Sequence, residues 1–161
     1  FFGGNLDTAE AYCQEVQTEL DKAKDWHAGF TLHLRRHIAS QRGDAKLIEA
    51  IARSELEFGK QIQDTSLIAW GKYGLADALS RMGQFEQAIS LARESQEPLS
   101  KSLTRSVASQ ELGRTLIQSS RYEEAEQVLK NGIKQMQRDL FYFDYGIQLF
   151  SLYPEAILGA D

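Results

Sequence analysis

Residues 75–92, LADALSRMGQFEQAISLA, decide the fold because they contain two helices and the turn between them. The apolar residues of the first helix, which recur three and four positions apart, are Leu75, Ala78, Leu79 and Met82. This spacing places them on one helical face, which other elements have to cover. Gly83 then ends the helix, because glycine adopts the left-handed conformation of a helix C-terminus without a Cβ penalty.

The second helix of this hairpin is suited to close packing. Phe85 follows the turn and fills the space between the helices, whereas Ala88, Ala92 and Ser95 keep one side small. Small side chains allow two helix axes to approach closely. A hairpin of this kind leaves another apolar face open, and we expect that face to stack on a copy of the same unit.

Copies of this unit recur at an even spacing. Each copy has a turn residue, an aromatic or apolar residue two positions later, and a small or apolar residue three positions after that. The turns lie near 4, 43, 83 and 120, and another copy starts near 159. The turns are 37 to 40 residues apart. The helices that we expect lie near 7–24, 26–41, 45–61, 65–82, 85–96, 103–119, 122–138 and 140–158. Pro154 should kink or break the last of them.

The repeat resembles the tetratricopeptide repeat (TPR) family, whose helix-turn-helix unit has about 34 residues. The best match consists of Leu112, Gly113, Leu116, Ser120, Tyr122 and Ala125. The longer period is similar to the long-repeat variant of bacterial maltose-activator-type regulators and multidomain signalling ATPases. The resemblance covers essentially residues 1–161 as a single domain and implies an all-α, right-handed α-α superhelix (solenoid). Because no initiator Met is present, we expect a fragment of a longer protein.

The resemblance implies that the first helix of each repeat lines a concave, ligand-binding face. The residues that it places there are Phe30, His33, His37, Trp70, Tyr73, Asp77, Ser80, Gln110, Arg114 and Tyr153. Trp and Arg often carry a large share of interface energy, but a core position stays open for Trp70. The register of helix 26–41 also stays open: one extra residue in its turn would make Leu34 and Ile38 the core pair.

Two groups of polar residues on helix 26–41 are candidates for ligand or metal binding. His33 and His37 share a helical face and could bind a metal. No third ligand is evident and no H-E-x-x-H motif occurs, so we favour a groove-lining polar pair over a metal site. Contact of Arg35 and Arg36 with a phosphate or acidic ligand stays open. Clamping of a chaperone C-terminal carboxylate is not expected, because the Lys and Asn that the family uses are missing and Asp77 would repel it.

The composition of the chain limits the classes of function that we expect. The chain has 18 basic and 23 acidic residues and a formal net charge of -5, whereas nucleic-acid-binding surfaces usually show a basic excess. The single cysteine favours a reducing, cytoplasmic location, and no apolar run approaches the roughly 18 residues of a membrane span. Since no P-loop, G-x-S-x-G, G-x-G-x-x-G or paired-cysteine motif occurs, we expect no enzymatic activity and no cofactor.

We therefore expect a protein-protein interaction scaffold, the regulatory part of a larger signalling or transcription protein, that binds a peptide, a helix, a partner domain or another domain of its own chain. Tyr73→Ala or Arg114→Glu should then abolish binding and leave helicity intact. Two alternatives stay open. A small effector bound between repeats could change the superhelical curvature. The chain could also be a spacer or self-association element through its aromatic last helix, with Phe141, Tyr142, Phe143, Tyr145, Phe150 and Tyr153.

Overall fold

The computed structural model of the chain describes residues 5–20, 26–96, 102–139 and 145–160. In these ranges all regular structure is α-helical, which confirms the all-α prediction. The helices are α1 (Leu6–Leu20), α2 (Trp26–Arg42), α3 (Ala45–Gln61), α4 (Thr65–Arg81), α5 (Phe85–Gln96), α6 (Ser102–Gln118), α7 (Tyr122–Asp139) and α8 (Tyr145–Ala160). None of these described helices has both the length and the apolar character to cross a bilayer.

The turns after α2, α3, α4 and α6 have a residue in the left-handed backbone region. At the predicted turns these residues are Gly43 (φ 73°), Gly83 (φ 76°) and Ser120 (φ 59°). Gln63 (φ 57°) makes the same turn between α3 and α4, where the sequence gives no glycine signal. The predicted turn near 4 lies outside the described residues, and near 159 no turn is seen because α8 continues to Ala160.

The turn after α2 also settles the register that the sequence left open. The amide of Gly43 donates to the carbonyl of Ser40, and the next amide donates to the carbonyl of Ala39. The turn at Gly83 makes the same pair of bonds to the corresponding carbonyls, so the turn at Gly43 contains no extra residue. Of the two alternatives, the one that places Leu34 in the core is therefore not observed: Leu34 is 39% exposed, although Ile38 is buried.

Consecutive helices pack against one another along the described chain, and the even-numbered helices α2, α4, α6 and α8 also contact their even-numbered neighbours. Within the described ranges, the backbones of the odd-numbered helices stay apart, although a side-chain ion pair joins Arg93 on α5 to Glu124 on α7. No two helices more than two places apart have backbones in contact there. The helices that carry the predicted binding residues are therefore neighbours in space.

Buried apolar side chains form two clusters between these helices. The larger one lies among α4 to α8 and includes Ala76, Ala88, Ile89, Leu112, Leu116, Leu129 and Ala156. The smaller one joins α2, α3 and α4 through Ala39, Ile48, Ile51 and Ala78. Ala88, Ala92 and Ser95 are all buried, as the small-residue stripe of α5 predicts, so α5 packs closely on its neighbours.

The closest helix approach joins α3 and α4 and depends on glycine. A Cβ on Gly71 would lie 2.6 Å from the backbone nitrogen of Leu56, and one on Gly59 would lie 2.8 Å from the backbone nitrogen of Ile68. Real Cβ atoms do not approach backbone atoms so closely. The two helix backbones are therefore in direct contact. This contact fixes the position of α4 and of the predicted binding residues that it carries.

The last helix agrees with the prediction only in part. α8 remains helical through Pro154, so the predicted break does not occur. Residues 141–143 of the aromatic stretch lie outside the described residues, and the side chains at 145 and 150 are not described either. Tyr153 is half-buried and packs against the larger core cluster.

Candidate binding surface

The ten predicted binding residues lie on four even-numbered helices that contact one another in sequence. Phe30, His33 and His37 lie on α2, Trp70, Tyr73, Asp77 and Ser80 on α4, Gln110 and Arg114 on α6, and Tyr153 on α8. Their surroundings differ, however. His33, Tyr73, Asp77, Ser80 and Gln110 are buried, and the others are half-buried. The structure therefore divides them into an aromatic part, a charged part and residues that bind neighbouring helices.

The aromatic part is formed by Trp26, Phe30 and Trp70, which we call the aromatic patch. Trp26 stacks on Phe30 with 5.0 Å between ring centroids, and Trp70 lies 6.2 and 6.3 Å from the two. Trp26 is 40% exposed. Because the rings lie against one another, they form a continuous apolar surface rather than a cage around a cation.

The charged part is a pocket of about 260 Å³ between α2, α4 and α6, which we call the central pocket. Its lining residues are Arg36, His37, Ser40, Gln41, Tyr73, Asp77, Arg81, Gln110, Glu111 and Arg114. Five of the ten predicted residues line it, from three different helices. The lining offers guanidinium, hydroxyl, amide and carboxylate groups, so it is suited to recognition of a polar ligand by hydrogen bonds and charge.

One wall of the central pocket is held by a buried ionic network around Arg36, which is 1% exposed. Its Nε donates to Glu55 Oε2 at 3.0 Å, and its guanidinium also donates to the Tyr73 hydroxyl and lies 4.4 Å from that ring centroid. His33 Nδ1 contacts both Glu55, at 3.1 Å, and Arg36, at 3.0 Å. A Cβ on Gly74 would lie 2.5 Å from Arg36 Cδ, so this glycine makes room for the arginine.

Two further ion pairs line the central pocket, each within one helix. Arg81 Nε donates to Asp77 Oδ1 at 2.6 Å, and Ser40 donates to the other oxygen of Asp77 at 3.1 Å. On α6, Arg114 donates to Glu111 Oε2 at 3.1 Å. Burial of Glu111, together with the charge of Asp77, raises its pKa to about 7, although the nearby arginines oppose this shift. At neutral pH the Glu111 carboxyl is therefore ionised in only part of the molecules.

The two histidines are neutral members of this site. His37 Nε2 lies 3.1 Å from His33 Nε2, so one nitrogen donates and the other accepts. Burial, followed by the charge of Arg36, lowers the pKa of His37 to about 2, and burial also lowers the pKa of His33. Among the described residues, no group of three or more His, Cys, Asp or Glu side chains is arranged for a metal ion.

Two predicted residues lie outside both parts of the surface. Ser80 donates a hydrogen bond to Gln118 on α6, and Tyr153 donates to Glu126 on α7 at 3.4 Å. Both bonds join neighbouring helices. These residues therefore contribute to packing between repeats rather than to the aromatic patch or the central pocket.

The site contains five residues that the sequence prediction does not name: Trp26, Ser40, Gln41, Arg81 and Glu111. Spacing could have found them. Each lies three or four positions from a predicted residue on the same helix and so shares a helical face with it. The sequence left Arg36 open as a contact for a phosphate or acidic ligand, but its burial depends on Glu55 and Tyr73, partners on other helices that the sequence does not reveal.

Comparison with known proteins gives no relative to guide the interpretation of this surface. No protein-family model, curated protein or solved structure matches the chain. Its function has to be inferred from the surface itself.

Proposed function

We propose that this chain is a TPR-like helical-repeat module, part of a larger cytoplasmic regulatory protein, and that it binds a peptide or helical segment of a partner along α2, α4 and α6. The helices would form a curved stack, right-handed as in the family that the sequence resembles. The even-numbered helices would line its concave side, and the chain would act by binding without catalysing a reaction.

The contact pattern of the helices is the observation that carries this proposal. The backbones of the even-numbered helices approach those of their even-numbered neighbours. Within the described residues the backbones of the odd-numbered helices do not, although an ion pair between the long side chains of Arg93 and Glu124 joins α5 and α7. In a stack of hairpins, the row of helices on the inner side of a curve comes closer together than the outer row. This supports a concave surface on α2, α4 and α6.

The composition of that surface supports a peptide as its occupant. The aromatic patch offers exposed Trp26 beside half-buried Phe30 and Trp70, and large aromatic residues are enriched among the residues that dominate binding energy. The central pocket lies one to two helical turns further along α2 and α4 and is polar. A segment with an apolar or aromatic anchor next to charged residues would match both parts.

Trp26→Ala is the variant that tests this proposal best. Tyr73→Ala, which the sequence suggests, is unsuitable because Tyr73 is buried and accepts a hydrogen bond from Arg36. Trp26 is partly exposed, so its truncation should leave helicity intact. The matched control is Tyr12→Ala, which truncates a 65% exposed aromatic residue on α1, a helix that contributes no residue to the aromatic patch or the central pocket.

The experiment selects displayed random linear peptides on the immobilised protein and measures the enriched sequences by fluorescence anisotropy. We expect aromatic-containing peptides whose affinity falls about tenfold or more for Trp26→Ala, because truncating a central interface tryptophan commonly costs about 2 kcal/mol. Tyr12→Ala should bind like the unsubstituted protein. Equal affinity of the Trp26 variant, or an equal loss for both variants, would contradict the proposed surface.

A further inference from the structure

The central pocket is of a size suited to a single small molecule or residue. Its volume of about 260 Å³ lies below the roughly 300–1,000 Å³ of pockets that hold drug-sized ligands. Its walls come from α2, α4 and α6. A nucleotide is too large for such a site, whereas a compact polar metabolite is of suitable size.

The positive groups of the central pocket are three guanidinium groups, each paired with a carboxylate: Arg36 with Glu55, Arg81 with Asp77 and Arg114 with Glu111. The charges of Arg36 and Arg114 both disfavour a proton on the ring of His37. His33 is neutral as well, and no described residue of α2 brings an anionic side chain into the lining. A ligand carboxylate placed beside Arg114 would gain charge-assisted hydrogen bonds from its guanidinium group.

Two of these paired carboxyl groups lie in the lining of the pocket. Asp77 has a short contact from each oxygen, to Arg81 and to Ser40. Glu111 is more than nine-tenths buried; its Oε2 accepts a hydrogen bond from Arg114 at 3.1 Å, and its Oε1 lies 3.4 Å from the Thr115 hydroxyl.

The charged groups that face Glu111 are Asp77 and Arg81 on α4, Arg36 on α2 and Arg114 on its own helix. Burial and Asp77 outweigh the three arginines and raise the pKa of Glu111. A cationic group added beside Glu111 would therefore stabilise its ionised form.

We propose that the central pocket binds a free α-amino acid or a zwitterion of similar size, with its ammonium group against Glu111 and Asp77 and its carboxylate against Arg114 and His37. Arg114 and Glu111 lie 3.1 Å apart, so one compact zwitterion can contact both. A ligand of a single charge would attract one member of the Arg114–Glu111 pair and meet like charge at the other. This site is the charged part of the peptide-binding surface proposed above, and it does not use the aromatic patch, whose role as a peptide anchor is tested by a different variant.

Three classes of probe separate the contributions of the two ligand charges. The proteinogenic amino acids are zwitterions, their carboxamides carry only the ammonium group, and their N-acetyl derivatives carry only the carboxylate. Binding is followed by NMR shifts of the amides of α4 and α6. We expect at least one free amino acid to bind about tenfold or more tightly than its carboxamide and its N-acetyl derivative.

Calorimetry in two buffers of different ionisation enthalpy then tests the role of Glu111. Since a bound ammonium group favours the ionised carboxylate, binding at pH 7 should release protons. Glu111→Gln should abolish the proton release and weaken binding about tenfold, whereas Glu124→Gln, which changes an exposed carboxylate on α7, should do neither. Should Glu111→Gln fail to fold, Arg114→Gln serves as the second variant. It should bind the free amino acid no more tightly than the carboxamide of that amino acid.

Several results would overturn this inference. It is wrong if no amino acid gives a saturable shift, or if a singly charged derivative binds as tightly as its parent. It is equally wrong if binding releases no proton at pH 7 or if Glu111→Gln binds like the unsubstituted protein. None of these results bears on the aromatic patch, so the peptide-binding proposal is tested separately.

Discussion

Arg36 is the residue on which the packing beneath the binding surface depends most. The corresponding positions, seven residues before the turns at Gly83 and Ser120, are the small residues Ala76 and Gly113. The arginine fits because Gly74 leaves it space and because Glu55 neutralises it in the interior. A buried ion pair of this kind costs a great deal when one partner is removed.

We predict that Arg36→Met lowers the free energy of unfolding by about 3–5 kcal/mol, because it leaves the buried Glu55 carboxylate without its cation. The double variant Arg36→Met, Glu55→Leu should recover most of this loss. Urea unfolding followed by circular dichroism measures both. The control, Arg53→Ala, breaks an exposed pair with Glu49 and should cost only about 0.3–0.5 kcal/mol. A similar cost for Arg36→Met and Arg53→Ala would contradict the role of the network.

Glu111 gives a prediction for the pH dependence of stability. Its pKa is about 7 in the folded protein against an ordinary value of 4.5, so the folded state holds its proton more tightly between these values. Its contribution to the free energy of unfolding is therefore full below pH 4.5 and is lost as the pH rises to 7. Glu111→Gln should remove this decline, on the order of 2 kcal/mol.

The measurement is urea unfolding of both proteins across this pH range. Comparison with Glu111→Gln is needed because the lowered pKa of His37 acts in the opposite direction, adding stability as the pH rises towards 6.5. Identical pH profiles for the two proteins would show that Glu111 titrates normally in the folded state.

At the scale of single residues, the sequence predicted on which helix each candidate residue lies but not how deeply each residue is buried. Tyr73 and Asp77 lie at predicted positions, yet both are buried by contacts with Arg36 and Arg81. These contacts join different helices or different turns of one helix. A pattern along the chain cannot reveal them, because it gives the face of a residue and not its partner across the interface.

At the scale of helices, the α3 and α4 pair is the most tightly packed element. Gly71→Ala should destabilise the protein by about 3 kcal/mol or more, because its Cβ would meet the backbone of Leu56 and force the two helices apart. Gly113→Ala is the matched control in α6. Its nearest neighbours would be the Cδ and Cγ atoms of the Leu129 side chain, with no backbone atom among them, and alanine gains about 1 kcal/mol of helix propensity over glycine.

Thermal and urea unfolding of the two glycine variants test this difference directly. Gly113→Ala should lose clearly less stability than Gly71→Ala. If both variants lose the same amount, backbone contact between α3 and α4 does not limit the packing.

Helix positions were largely predictable, because apolar spacing and turn glycines act within a few residues. α3 and α5 have the predicted bounds, α2, α4 and α7 differ by one residue at one end, and α6 differs by one residue at both ends. The turn at Gln63 could not be predicted from glycine, since here a non-glycine residue takes the left-handed conformation. The exposure of Leu34 depended on whether the turn at Gly43 held an extra residue, which only its hydrogen bonds reveal.

At the scale of the whole molecule, self-association through the last helix remains a separate hypothesis. Leu158 on α8 is 77% exposed, and Ile157 beside it is partly exposed. If this surface joins two copies, the mass measured by sedimentation should rise with concentration and Leu158→Glu should abolish the rise. Leu34→Glu, which places the same charge on an exposed position of α2, should not. A mass independent of concentration would exclude this role for α8.

The central claim is that partners bind to the even-numbered helices. Its most direct test is backbone hydrogen exchange of the protein with and without a peptide selected on it, using Trp26→Ala to identify binding that depends on the aromatic patch. We predict added protection in α2, α4 and α6 and little change in α3, α5 and α7. Protection confined to the odd-numbered helices, or unchanged protection in α2 and α4 at saturating peptide, would contradict the account.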